Sequence, residues 1–165
     1  MTESTAEPSV YDVHHLVASQ LAAHDQRYTE NRRQLIDILI STDGPVTIAE
    51  ILDRGEALAQ SSAYRNLVVL EEAGVVHRII TSDDHARFEL TEAVTGRHHH
   101  HLICEHCGNI HDVTLPPDLE RRLDEALATE AGRLEFAGDH HRVDLIGRCR
   151  RCRDQAGADG RTGSS

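Results

Sequence analysis

The chain has 165 residues, room for one domain or two small ones. Hydrophobic residues make up 39% and aromatics 3%, so any core is aliphatic, and no apolar run approaches the ~20 residues of a membrane-spanning helix. A net charge of −11 argues against nucleic acid unless basic residues cluster or bound metal adds positive charge, and all 17 basic residues are arginine.

Residues 1–9 form a polar tail without the basic and apolar regions of a secretion signal, so a cytoplasmic location is expected. From Tyr11 to Ala23, Val13, Leu16, Val17 and Leu21 recur at helical spacing. A second helix is expected from about Glu30 to Ser41, with Leu35, Ile38 and Leu39 on one face and Gly44-Pro45 as its breaker. Thr47 and Glu50 stand at capping-box spacing and open a short third helix. A fourth runs from about Ser61 to Ala73 with Ala63, Leu67 and Leu70 buried, and Gly74 ends it. Val75–Thr81 and Arg87–Leu90 read as two strands joined at Ser82–His85.

Short helices followed by a β-hairpin outline a winged helix-turn-helix, whose last helix enters the major groove. Ser61, Ser62, Tyr64 and Arg65 would then lie near the start of that helix, off its apolar face, with Arg32 and Arg33 placed to hold phosphates. The competing possibility is a helical domain with solvated arginines.

The second half alternates strand and helix. His101–Cys104 and Asn109–Thr114 are short extended segments, Pro116-Pro117-Asp118 opens a helix to about Ala131, and Val143–Ile146 is a last strand. All four cysteines fall in two C-x-x-C pairs, Cys104/Cys107 and Cys149/Cys152. In a reducing compartment, two such pairs form the closed four-sulfur shell of a structural zinc site. So small a sheet-plus-helix unit leaves an edge and an apolar face open, which a second copy would cover. The Gly/Ser/Asp-rich stretch from Gln155 to Ser165 reads as a disordered tail. Together this is an α+β chain: a winged-helix DNA-binding domain over 10–95, an α/β dimerisation and metal-binding domain over 96–153, and tails at 1–9 and 154–165.

Phe88-Glu89-Leu90-Thr91, His98-His99-His100-His101-Leu102-Ile103-Cys104-x-x-Cys107-Gly108 and Gly147-x-Cys149-x-x-Cys152 resemble the Fur (ferric uptake regulator) family of metal-responsive repressors. Ser62–Leu67 followed by Glu72–Val76 is similar to that family's recognition helix and wing entry. The resemblance spans about residues 10 to 153. It implies a homodimer on a pseudo-palindromic DNA operator, with structural zinc on the four cysteines and a regulatory metal at the hinge.

By position, the hinge ligands implied are Glu89, His99 and His101. The family's iron-sensing members use a histidine before the third helix, where this chain has Gly44-Pro45-Val46, so His77 at the start of the wing is taken as the fourth ligand. Zinc-sensing members tend to carry a cysteine where this chain has Thr91. Alternation along a strand puts His98 and His100 on the face opposite His99 and His101, which predicts two metal sites from one run of histidines. The second would be completed by His141 and Glu120, with Asp124 as a substitute for Glu120. Asp112 matches a hinge ligand of peroxide-sensing members. His14, His15, His24, His85, His106, His111 and His140 are read as surface residues.

The nitrogen-rich hinge suits zinc first, then iron (Fe2+), nickel (Ni2+) or manganese (Mn2+). Metal loading would favour the operator-binding arrangement of the dimer, and affinity should fall below pH ~6.5, where ordinary imidazoles protonate. An iron- or peroxide-responsive member of the family, or a zinc-stabilised interaction module, are the alternatives. A metalloenzyme is not expected, because there is no H-E-x-x-H and no H-x-E paired with P-C-x-x-C.

Overall fold

The computed structural model describes residues 9–55, 58–83, 85–138 and 140–159. The expected tail at 1–9 and the end of the tail at 154–165 lie almost wholly outside them. The chain divides into two compact units, Met1–Arg97 and His98–Ser165.

The first unit carries α1 (Val10–Ala23), α2 (Glu30–Ile40), β1 (Val46–Thr47), α3 (Ile48–Arg54), α4 (Gln60–Glu72), β2 (Val76–Ile80), β3 (Ala86–Leu90) and α5 (Glu92–Thr95). Capping boxes fix two helix starts: Ser9 with Asp12 opens α1, and Thr47 with Glu50 opens α3. The core gathers Val13, Val17 and Leu21 of α1, Leu35, Ile36 and Leu39 of α2, Ile51 of α3, and Ala63, Leu67 and Leu70 of α4. Burying each large aliphatic side chain contributes about 1.5–3 kcal/mol. Leu16, expected on the buried face of the first helix, is instead exposed, because Val13, Val17 and Leu21 at steps of four complete that stripe without it.

The helix α4 ends at Gly74, whose φ of +69° is a left-handed geometry that glycine adopts without strain. There the chain turns into the wing. Antiparallel β2 and β3 pair His77 with Glu89, and β1 adds to the far side of β3 to give the order β1-β3-β2. The two-residue β1 and the single turn of α5 had no legible sequence signal. At the wing tip Arg87 NH2 lies 2.8 Å from Asp83 Oδ2, and Arg87 also donates to Thr81. The Arg87 bond is the main reason the Asp83 carboxyl sits well below its ordinary range. Thr91 donates its hydroxyl to Gly74 O at 2.7 Å, pinning the end of β3 to the α4 stop.

The second unit carries β4 (His100–Cys104), β5 (Ile110–Val113), α6 (Pro117–Arg133), β6 (Asp144–Gly147) and α7 (Arg150–Asp159). The sheet order is β5-β4-β6, with β5 antiparallel and β6 parallel to β4. The helix α7 extends past Asp154 into the stretch read as a disordered tail. Its first turn is anchored by buried Cys152, which the glycine-rich composition downstream does not reveal. No residue of α6 is buried, and Leu119 and Leu127 are 42% and 44% exposed. No helix among the described residues is long and apolar enough to cross a membrane.

Candidate metal centres

The four cysteines converge in the second unit. Cys104 ends β4, Cys107 follows on a tight turn, Cys149 lies just past β6, and Cys152 sits in the first turn of α7. The turn closes through Gly108, whose φ of +66° aims its N–H at Cys104 O, 2.9 Å away. The parallel pairing of Cys104 with Gly147 brings the second C-x-x-C alongside the first. Cys107 and Cys149 sulfurs are 3.8 Å apart. A tetrahedral zinc with Zn–S bonds near 2.3 Å has an edge of ~3.8 Å, so the spacing fits such an ion.

The electrostatics point the same way. The backbone N–H of Cys149, with those of Cys107 and His106, pulls the Cys104 thiol down to about 6. Burial and the neighbouring sulfurs push Cys152 up to about 12. Four crowded thiols resist full ionisation unless a cation joins them, and a dication supplies that charge.

The histidine run divides by face. His98 and His100 lie with His141 and Glu120, all ligand atoms within 4.8 Å of one another. Glu120 Oε1 is 2.8 Å from His100 Nε2. Its Oε2 is buried with no hydrogen bond of good geometry, though Nε2 atoms of His141 and His98 stand 3.4 and 3.5 Å away. An orphaned carboxylate oxygen ringed by imidazoles is the arrangement a cation would satisfy. Burial alone would raise the Glu120 carboxyl, but the His100 bond and the fields of His100, His98 and His141 outweigh it and hold it below its ordinary value. Asp124, the residue considered in place of Glu120, instead meets the far nitrogen of His141 at 2.9 Å.

On the other face, His99, His101 and Asp112 bring their ligand atoms within 4.8 Å of one another. His101 is 1% exposed, with Nε2 3.8 Å from Asp112 Oδ1 and Nδ1 3.2 Å from Asp144 Oδ1. Asp144 was not anticipated; it follows from the β4–β6 register, which no local pattern encodes. In the first unit, His77 Nδ1 lies 3.1 Å from Glu89 Oε1 on adjacent wing strands. His77 thus already engages the carboxylate it was expected to join as a ligand.

On α4, Ser61, Tyr64 and Arg65 are exposed and Ser62 is half-buried, bonded to Asn31 and Asn66. Arg32 departs from expectation. It is 8% exposed and its guanidinium donates to Asn66 Oδ1, Arg27 O and Gln26 Oε1, so it ties α2 to α4 and is largely withdrawn from the surface where a phosphate would lie. Arg33 is exposed and lies over the Tyr28 ring. His14 is not an ordinary surface residue: it is half-buried between Tyr28 Oη at 2.5 Å and Asp37 Oδ1 at 2.9 Å.

The sequence model described as "Ferric uptake regulator family" matches residues 23–146. The peroxide-responsive repressor PerR of Staphylococcus epidermidis (strain ATCC 12228 / FDA PCI 1200) is 29% identical over 133 residues, covering 78% of this chain and 83% of that protein. The ferric uptake regulator of Helicobacter pylori, whose structure is described as revealing three functional metal binding sites, superimposes with a TM-score of 0.66 at 21% identity. That match covers 88% of this chain and 95% of the other. A zinc-bound manganese uptake regulator superimposes with a TM-score of 0.55 at 27% identity, over 81% of this chain and 98% of that one.

Proposed function

Because the chain belongs to the ferric uptake regulator family of metal-responsive regulators, we propose that it is a metal-dependent, DNA-binding repressor of metal-homeostasis genes, with zinc as its regulatory ion. The observation that carries this is the division of one histidine run between two acid-containing clusters, beside a four-thiol cluster that fits structural zinc. A closed thiolate shell gives folding, whereas mixed histidine–carboxylate sets exchange their ion and suit sensing.

In this reading Cys104, Cys107, Cys149 and Cys152 hold the structural zinc. The regulatory donors come from both units: Glu89 from the wing, and His99, His101 and Asp112 from the second unit. Asp112, 3.8 Å from His101, is taken as the fourth donor; His77, 3.1 Å from Glu89, is the alternative for that place. His98, His100, Glu120 and His141 form the second exchangeable site. A dication, when bound, would supply the positive charge on which these imidazole and carboxylate donors converge. With the regulatory donors joined, the wing and α4 are held in one orientation to the second unit. In a homodimer that orientation sets the spacing of the two α4 helices against a pseudo-palindromic operator. Ser61, Tyr64 and Arg65 then meet DNA, with Arg33 on the backbone. Exposed Leu119 and Leu127 of α6 and Leu102 and Leu145 of the sheet supply the apolar face a second copy would cover.

The His99→Ala/His101→Ala double variant tests this. It should keep one tightly held zinc per chain and lose metal-dependent DNA binding; unchanged metal-dependent binding refutes the ligand set. A second reading, an iron- or peroxide-responsive regulator, is favoured by Asp112, because added carboxylate shifts preference toward harder ions, and by the PerR relative. It requires that ferrous iron support DNA binding and that peroxide abolish it.

A further inference from the structure

The register of the second sheet sets His101 on β4 directly opposite Asp144 on β6. Asp144 Oδ1 lies 3.2 Å from His101 Nδ1, while its Oδ2 is 3.3 Å from an Arg142 guanidinium nitrogen. The imidazole is 1% exposed and the carboxylate 23%, so water competes weakly for the contact. An ionised carboxylate only accepts, so the ring nitrogen facing it must donate. A neutral imidazole carries one N–H; with that proton on Nδ1, the lone pair sits on Nε2. His101 Nε2 points toward Asp112 Oδ1 at 3.8 Å, too long for a hydrogen bond. Two ligands each ~2.1 Å from one ion stand ~3–4 Å apart, so the same distance suits a shared metal.

We propose that Asp144 is a positioning residue: it fixes the tautomer and ring orientation of His101 so that the Nε2 lone pair is presented to the regulatory metal. The inference deepens the reading of His99, His101 and Asp112 as ligands and rests on it. Asp144 is not itself a ligand, since it holds the edge of the ring away from Asp112. Carboxylates in this role typically govern about 10–100-fold of metal affinity. The second site has a weaker counterpart, because Asp124 meets His141 Nδ1 but its side chain is 66% exposed.

The test uses the full chain as wild type, Asp144→Ala, Asp144→Asn and Asp124→Ala. Long-range 1H–15N correlation spectra of protein stripped of exchangeable metal report the His101 tautomer directly. Wild type should show the proton on Nδ1; Asp144→Ala should lose that preference, and Asp144→Asn should keep it, because the amide oxygen still accepts. Zinc competition against a chromogenic chelator should give about 10–100-fold weaker regulatory-site binding for Asp144→Ala. Asp144→Asn should be affected less, and Asp124→Ala should leave that site unchanged. A wild-type proton on Nε2, or wild-type zinc affinity in Asp144→Ala, overturns the proposal. The ligand reading fails separately if His101→Ala binds zinc as wild type does. The tautomer measurement on wild type stands even where Asp144→Ala does not fold.

Discussion

Replacing Arg32 with alanine should unfold the first unit more easily rather than merely weaken DNA binding. The guanidinium is 8% exposed and makes three charge-assisted hydrogen bonds: Nε to Asn66 Oδ1 at 3.0 Å, NH1 to Arg27 O at 2.5 Å and NH2 to Gln26 Oε1 at 3.0 Å. Hydrogen bonds to charged groups contribute about 1.5–3 kcal/mol each, but three sharing one side chain are not additive. Allowing for that overlap and for partners that recover water, the loss should be about 3 kcal/mol. With a urea slope of about 1.5 kcal/mol per molar for a unit this size, the midpoint should fall by about 2 M. Tyrosine fluorescence isolates the effect, because Tyr11, Tyr28 and Tyr64 all lie within Met1–Arg97 and the chain has no tryptophan. If the midpoint moves by less than about 0.5 M while the salt dependence of DNA binding drops by one phosphate contact, Arg32 is a phosphate ligand and the packing argument is wrong.

Further expectations concern the metal sites and the wing. Cys152→Ser should lower tightly bound zinc by one ion per chain, measured by elemental analysis of the dialysed protein, and should cost several kcal/mol of stability in the second unit; retained zinc would contradict the four-thiol shell. Glu120→Ala should weaken the second exchangeable site by at least about 10-fold in a zinc competition titration, without changing the tightly held ion. Asp83, depressed by its Arg87 bond, contributes stability that is full above its ordinary value of 3.8 and lost as pH falls below it. Asp83→Asn should therefore be less stable than wild type at neutral pH, with the gap closing in acid unfolding curves below about pH 4.

Much of this was legible in the sequence because the signals are local. Apolar stripes at helical spacing located α1, α2 and α4, and the Thr47/Glu50 box located α3. Two C-x-x-C pairs and the alternation of four histidines gave the metal clusters, since a strand's period of two separates faces without tertiary knowledge. What escaped is non-local. Burial of Arg32 depends on Asn66, 34 positions away. The contact of Asp144 with His101 depends on a parallel register set by chain crossover. His14 looks like any surface histidine until α1 and α2 pack and bring Tyr28 and Asp37 to it. The start of the presumed tail became α7 because Cys152 is drawn into the thiol cluster.

Zinc-dependent operator binding is best tested by fluorescence anisotropy of a labelled fragment of the protein's own promoter at fixed protein concentration, titrated with buffered free zinc. Anisotropy should rise at sub-nanomolar free zinc, a rise that ferrous iron and manganese do not reproduce and that the His99→Ala/His101→Ala variant lacks. A flat response while the same protein demonstrably takes up zinc at its exchangeable sites would contradict it.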